Sequence, residues 1–181
     1  MKHLSLFLIL TIISITNSYA YSIEIHKEIS KEIEYQHFED EMNCLALNVY
    51  HEARHLSLVA QIGIIKVVNN RIKSPKFPST ICNVVWQTKQ FSWTHDGKSD
   101  RPYEERVFKI IQIFSREIWS KLDEIGDITH GATHYHADWL KQKPCWVDSM
   151  QYLTTLGEHL YYKEKKITGS CYKRKNKVTE G

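Results

Sequence analysis

Cys44-Leu45-Ala46-Leu47-Asn48-Val49-Tyr50-His51-Glu52-Ala53-Arg54 spells a helix with an acid on its apolar side. Leu45, Asn48, Val49 and Glu52 fall at i, i+3, i+4 and i+7 and so share one face. A carboxylate on such a face is shielded from water, and burial raises its pKa. That makes Glu52 a candidate proton donor. One more residue gives His51-Glu52-Ala53-Arg54-His55, which also spells a zinc-protease helix. There, two imidazoles one turn apart hold the metal and the Glu is a general base.

The residues around this helix predict an α+β domain. Ser57 is a good N-cap for a helix running to about Lys73, with Leu58, Ile62, Ile65, Val68 and Ile72 on its apolar face. Pro75 and Pro78 end it. Ile81 to Trp86 is short, apolar and partly β-branched, so a strand or loop is expected. Asp100 and Pro102 open a further helix with Glu104 and Glu105 in its first turn. Val107, Ile110, Ile111, Phe114 and Ile118 form its expected buried stripe. Thr133-His134-Tyr135-His136 and His159-Leu160-Tyr161-Tyr162 read as short strands. A helical half is thus followed by a small β-rich half, with a cleft expected where they meet.

The chain has 181 residues, 42% hydrophobic and 25% charged, which suits one domain with its own core. Met1 to Ala20 has a basic start, an apolar run from Leu4 to Ile15 and small residues at Ser18 and Ala20, the pattern of a cleaved leader. The run is too short for a stable membrane span. An exported protein, periplasmic or extracellular, is therefore expected. Segment 21–41 predicts a weakly amphipathic helical arm, with Ile25, Ile29 and Ile33 four residues apart. The domain itself is expected over 42–163, followed by a basic tail over 164–181. The formal net charge is only +3 and no nucleic-acid motif is present, so a nucleic-acid partner is not expected.

Export gives the four cysteines, Cys44, Cys82, Cys145 and Cys171, a meaning, because an oxidising compartment favours disulfides. Three pairings are possible. Cys44–Cys82 with Cys145–Cys171 is the preferred one, and free buried thiols are the alternative.

Two further stretches carry chemistry. In Gln90-Phe91-Ser92-Trp93, Gln90 and Ser92 are candidates to hydrogen-bond N-acetyl and hydroxyl groups, and Phe91 and Trp93 to stack on pyranose faces. Core packing is the competing role for both rings. In a strand, His134 and His136 point to one face and Tyr135 to the other. The two histidines line a cleft, join a structural network or bind a metal, in that order of preference, and Tyr135 is a candidate sugar contact. The zinc motif lacks its metzincin extension, since Leu56-Ser57-Leu58-Val59 follows, and the Ser57 cap ends the helix near His55. His134 or His136 would have to complete a ligand set, so no metal or other cofactor is expected. For glycoside cleavage, a second carboxylate would make a hydrolase, and Asp96 is the best candidate for it.

The blocks beginning Cys44 to Arg54 resemble, in order, the SleB-type cell-wall hydrolases. The likeness continues through Gln61-Ile62-Gly63, Val67-Val68-Asn69-Asn70-Arg71, Phe77 to Val85, Gln90 to Trp93, Gly131 to His136 and Gly157 to Tyr162. The resemblance implies a lysozyme- or transglycosylase-like domain acting on peptidoglycan glycan strands, with Glu52 as catalytic acid. In that family the positions of His51 and His55 are not fixed as His. The expectation is a secreted, monomeric lytic transglycosylase or muramidase cleaving the MurNAc–GlcNAc bond. A zinc metalloprotease using His51 and His55 is the alternative, and a non-catalytic envelope-binding protein a third reading.

Overall fold

A computed structural model describes residues 2–165. Cys171 and most of the basic tail lie outside them. The chain divides into two compact units, Met1–Asp40 and Glu41–Gly181.

Helix α1 spans Lys2–Ala53 without interruption. The arm and the Glu52 helix, expected as separate elements, are one helix because no Gly or Pro stands between them. In the first unit, every residue from 21 to 38 is exposed. No helix among the described residues is long and apolar enough to cross a membrane.

The second unit holds the core. Met42, Leu45, Ala46, Val49, Tyr50 and Ala53 of α1 are buried against α2 (Leu58–Ile72), α3 (Ile81–Val85) and α4 (Glu105–Ser120). Ser57 caps α2 as its sequence predicts, its hydroxyl accepting from the Ala60 N–H. Leu58, expected on the apolar face, is exposed. The buried residues of α2 instead wrap round it, from Ala60 and Ile64 to Lys66 and Arg71.

Ile81–Val85 is a short helix and not the expected strand or loop. Thr80 caps it, and the Glu41 carboxylate accepts from the N–H groups of Ile81 at 2.5 Å and Cys82 at 3.3 Å. Satisfied N-terminal donors hold a helix that five residues of propensity would not. Cys44 and Cys82 form the expected disulfide between α1 and α3. Cys145 is exposed and unpaired among the described residues, and its expected partner Cys171 lies outside them.

On α4, Ile111 and Ile118 are buried but Ile110 is exposed; Ser115 takes its place on the inner face. A four-residue helix, α5 (Leu122–Ile125), follows.

The described strands form one antiparallel sheet of order β1–β3–β2: β1 His134–Ala137, β2 Met150–Leu156 and β3 His159–Glu164. The register sets Tyr135 opposite Tyr161 and His134 opposite Tyr162. β2 carries a register shift between Tyr152 and Thr154. Tyr161 packs with Val67 of α2 and Ala132, with Tyr135, Leu153 and Leu156 against them. The expected α+β architecture is therefore present, with its helical half and small sheet meeting along α2.

Candidate active site

Glu52 lies one residue before the end of α1 and opens into a cavity of about 450 Å³. A second cavity of about 310 Å³ shares His51, Glu52, Ala137, Trp139 and His159 with the first. Glu52 therefore stands where two lobes of one groove adjoin. In the larger lobe it is the one carboxylate among the described residues; Glu158 lines the smaller lobe.

Burial holds the Glu52 carboxyl up at about 7, against an opposing pull from Tyr135 and Arg71. The Tyr135 hydroxyl faces Glu52 closely enough to favour the carboxylate, yet meets no partner at full hydrogen-bond geometry. Arg71, on the buried side of α2, is pushed down to about 10 by desolvation and stays cationic at neutral pH. Its Nε donates to the Thr133 carbonyl at 2.8 Å. Its guanidinium lies 5.2 Å from the Phe77 ring centre and 4.9 Å from that of Phe91, while Nη1 is unpartnered. The Tyr161 hydroxyl behind Tyr135 is also buried without a partner. A Cβ at position 63 would sit 2.3 Å from it, so only glycine lets this tyrosine close against α2. One acid, one fixed cation and two hydroxyls thus converge from α1, α2, β1 and β3.

The remaining expected site residues divide. Gln90, Phe91, Ser92, Trp93, Tyr135 and His136 all line the larger lobe with Glu52. Gln90 to Trp93 follow a turn in which Lys89 takes φ 62°, whereas Tyr135 and His136 come from β1. His134 does not line it: its ring packs on Phe77 and Trp146, and burial lowers its pKa to about 4. His136 Nδ1 donates to the Ala137 carbonyl at 2.8 Å, which leaves Nε2 to accept from the Tyr162 hydroxyl at 3.1 Å. Phe91 and Trp93 contribute little free surface, being 2% and 7% exposed. Trp93 stacks on His51 with ring centres 4.4 Å apart, and its Nε1 donates to Asn48 at 3.2 Å.

Asp96 lines neither lobe; its carboxylate accepts from the Lys98 N–H at 2.9 Å. An exposed loop side chain that caps its own turn is not turned toward the groove.

The zinc arrangement does not form. His51 Nε2 donates to the Asp100 carbonyl at 3.0 Å, whereas exposed His55 points to Glu104, 3.9 Å away. No group of three or more His, Cys, Asp or Glu among the described residues is placed to hold a metal. Arg54 pairs with Glu104 at 2.8 Å, fixing the end of α1 to the start of α4.

Arg71, Trp139, Trp146, His159 and Tyr161 join the site without being among its candidates in the sequence. Arg71 carried a signal: a charge at i+7 on the face that Ile64, Val67 and Val68 form at i, i+3 and i+4. Trp139 carried none, since a loop tryptophan has no periodicity to place it.

Glu52, held near neutrality, thus stands in a groove where the helical half meets the small sheet. The chain belongs to the Cell Wall Hydrolase family, which matches residues 57–162. Glu52 lies just ahead of that span.

A spore cortex-lytic enzyme of Halalkalibacterium halodurans is 25% identical over 125 residues, covering 68% of this chain and 34% of that protein. One of Bacillus cereus is 25% identical over 128 residues, covering 69% and 45%. The chain thus spans less than half the length of these relatives. Among solved structures, the catalytic domain of the Bacillus cereus SleB protein superposes with a TM-score of 0.52 at 22% identity, covering 68% of this chain and 89% of that one. The catalytic domain of the germination-specific lytic transglycosylase SleB of Bacillus anthracis gives 0.53 at 23%, covering 68% and 93%. These two likenesses establish the shared fold.

Proposed function

We propose that this chain is an exported enzyme that cleaves peptidoglycan glycan strands at the MurNAc–GlcNAc bond, acting as a lytic transglycosylase with Glu52 as its acid/base. One observation carries the reading: a half-buried carboxyl held up at about 7 is the one acid facing the larger lobe among the described residues. The names of the relatives, and the leader pattern of residues 1–20, support substrate and location. Residues 42–163 would form the catalytic domain.

Protonated Glu52 gives its hydrogen to the bridging oxygen, and the bond from that oxygen to the muramyl anomeric carbon breaks. Having given up its proton, Glu52 is a carboxylate, which Arg71 and Tyr135 stabilise while positive charge develops on the sugar. The C6 hydroxyl of the same muramyl unit then attacks the anomeric carbon. Glu52 takes the hydroxyl's proton and returns to its starting state. No second carboxylate is needed, because intramolecular attack replaces a positioned water.

Glu158 in the smaller lobe favours a second reading, in which water is activated and the product is a reducing end. The test is digestion of peptidoglycan by wild type and Glu52→Gln, with mass analysis of the fragments. A loss of about 10²–10⁴-fold is expected for Glu52→Gln, with anhydro products from the wild type. A folded Glu52→Gln enzyme of full activity would refute the role. Reducing ends would assign hydrolysis.

A further inference from the structure

The groove carries several aromatic rings, but nearly all are already engaged. Phe91 has the Arg71 guanidinium over it. Trp93 is stacked on His51. Trp146 is packed among His134, His136 and Tyr162. Tyr135 lies against His159 and Tyr161. Trp139 differs from all of them: it is 68% exposed and makes no ring contact among the described residues. It also lines both lobes, and Glu52 is one of the residues that do so with it.

Its backbone is fixed although its ring is free. The Asp138 N–H donates to the Glu158 carbonyl at 2.9 Å, and the Leu140 N–H to the Ala137 carbonyl at 3.4 Å. The turn that follows β1 therefore presents the indole from a set position. A lone exposed ring is ordinary on a protein surface; this one is set apart by lining both lobes of the groove together with Glu52. Here the groove is too polar for a purely apolar ligand, with Gln90, Ser92, His51, His136 and His159 on its walls. The ligand must offer one flat apolar face and a polar rim. A β-linked N-acetylhexosamine of the gluco configuration does so: its substituents are equatorial, so its axial C–H groups form an apolar face.

We infer that Trp139 is a sugar-stacking platform that holds a β-linked N-acetylhexosamine beside Glu52, at the junction of the two lobes. The inference rests on the glycan-cleaving function proposed above and names a contact for it. It moves the stacking role from Phe91 and Trp93, whose faces are covered, to a residue whose face is free.

The test uses the full chain in two arms. In the first, Trp139→Ala and Trp139→Phe are compared with wild type on peptidoglycan. Trp139→Ala is expected to raise KM roughly tenfold, as loss of one buried ring face implies, with a much smaller change in kcat. Trp139→Phe should recover most of that loss. In the second, chitotetraose binding is measured by calorimetry in the Glu52→Gln background, where the Trp139→Ala change should weaken it by a similar factor. Circular dichroism checks that each variant is folded.

A wild-type-like KM for Trp139→Ala, on a glycan that the wild type cleaves, overturns the platform and leaves the cleavage reading intact. If the wild type releases no fragments, cleavage falls and the binding arm alone judges the platform. Binding that depends on Trp139 then sustains it. Absent or unaffected binding ends it.

Discussion

Glu52 keeps its proton because the groove walls exclude water more strongly than Arg71 and Tyr135 draw out the charge. Activity that needs the protonated acid should therefore fall as pH rises through about 7. Tyr135 favours the carboxylate, so Tyr135→Phe should move that alkaline limb to higher pH and lower the maximal rate. A kcat–pH profile measures both, and a limb that stays in place or moves down would contradict the assigned pull. At this scale the sequence was informative where polarity broke a pattern. Glu52 stands out on an apolar face, and Arg71, in the last turn of α2, stands out in line with Ile64, Val67 and Val68. Phe91 and Trp93, candidate platforms in the sequence, line the groove with only 2% and 7% of their surface exposed. Their faces are covered by Arg71 and His51, partners that only the fold brings together.

Among the elements, α2 tolerates least. Gly63→Ala would set a Cβ 2.3 Å from the Tyr161 hydroxyl and 2.8 Å from its Cζ. Both belong to a buried ring that cannot retreat without moving β3. Overpacking of this kind costs about 1–3 kcal/mol, measurable by urea unfolding, and it should lower activity by disturbing Tyr135. An unchanged midpoint would show that the ring yields freely. The Cys44–Cys82 bond closes a loop of 38 residues. In the chain-entropy account that is worth about 4 kcal/mol, so a Cys44→Ser/Cys82→Ser protein should unfold at markedly lower urea. The helices and two of the strands were legible from periodicity and caps. α3 was not, because the Glu41 carboxylate that caps it lies far away in sequence. β2 was missed because its alternation breaks at the Tyr152–Thr154 shift. Ile110 was misplaced because Ser115 takes the inner face.

For the molecule as a whole, buried titrating groups pull stability in opposite directions. Folded Glu52 keeps its proton between its ordinary value of 4.5 and about 7, where the unfolded chain has lost it. Its contribution is thus full at low pH and is lost as pH rises across that window. His134 and His159 are held down at about 4 by burial. The unfolded chain protonates them first, so their contribution is lost as pH falls from 6.5 toward 4. Glu52→Gln removes only the first effect. It should leave stability near pH 5 little changed and raise it near pH 8 by about 1–3 kcal/mol. Thermal unfolding at the two pH values would show this, and equal shifts at both would refute it.

Residues 138–143, the stretch that carries Trp139, are all exposed and belong to neither hydrophobic cluster. The acid, by contrast, is mounted on the end of α1 that is buried in the core through Leu45, Val49, Tyr50 and Ala53. Affinity for a ligand and endurance of the scaffold are thereby assigned to separate stretches of sequence. This surface segment can be rewritten, even exchanged for one shaped to another polymer, without weakening the framework that maintains the reactive proton.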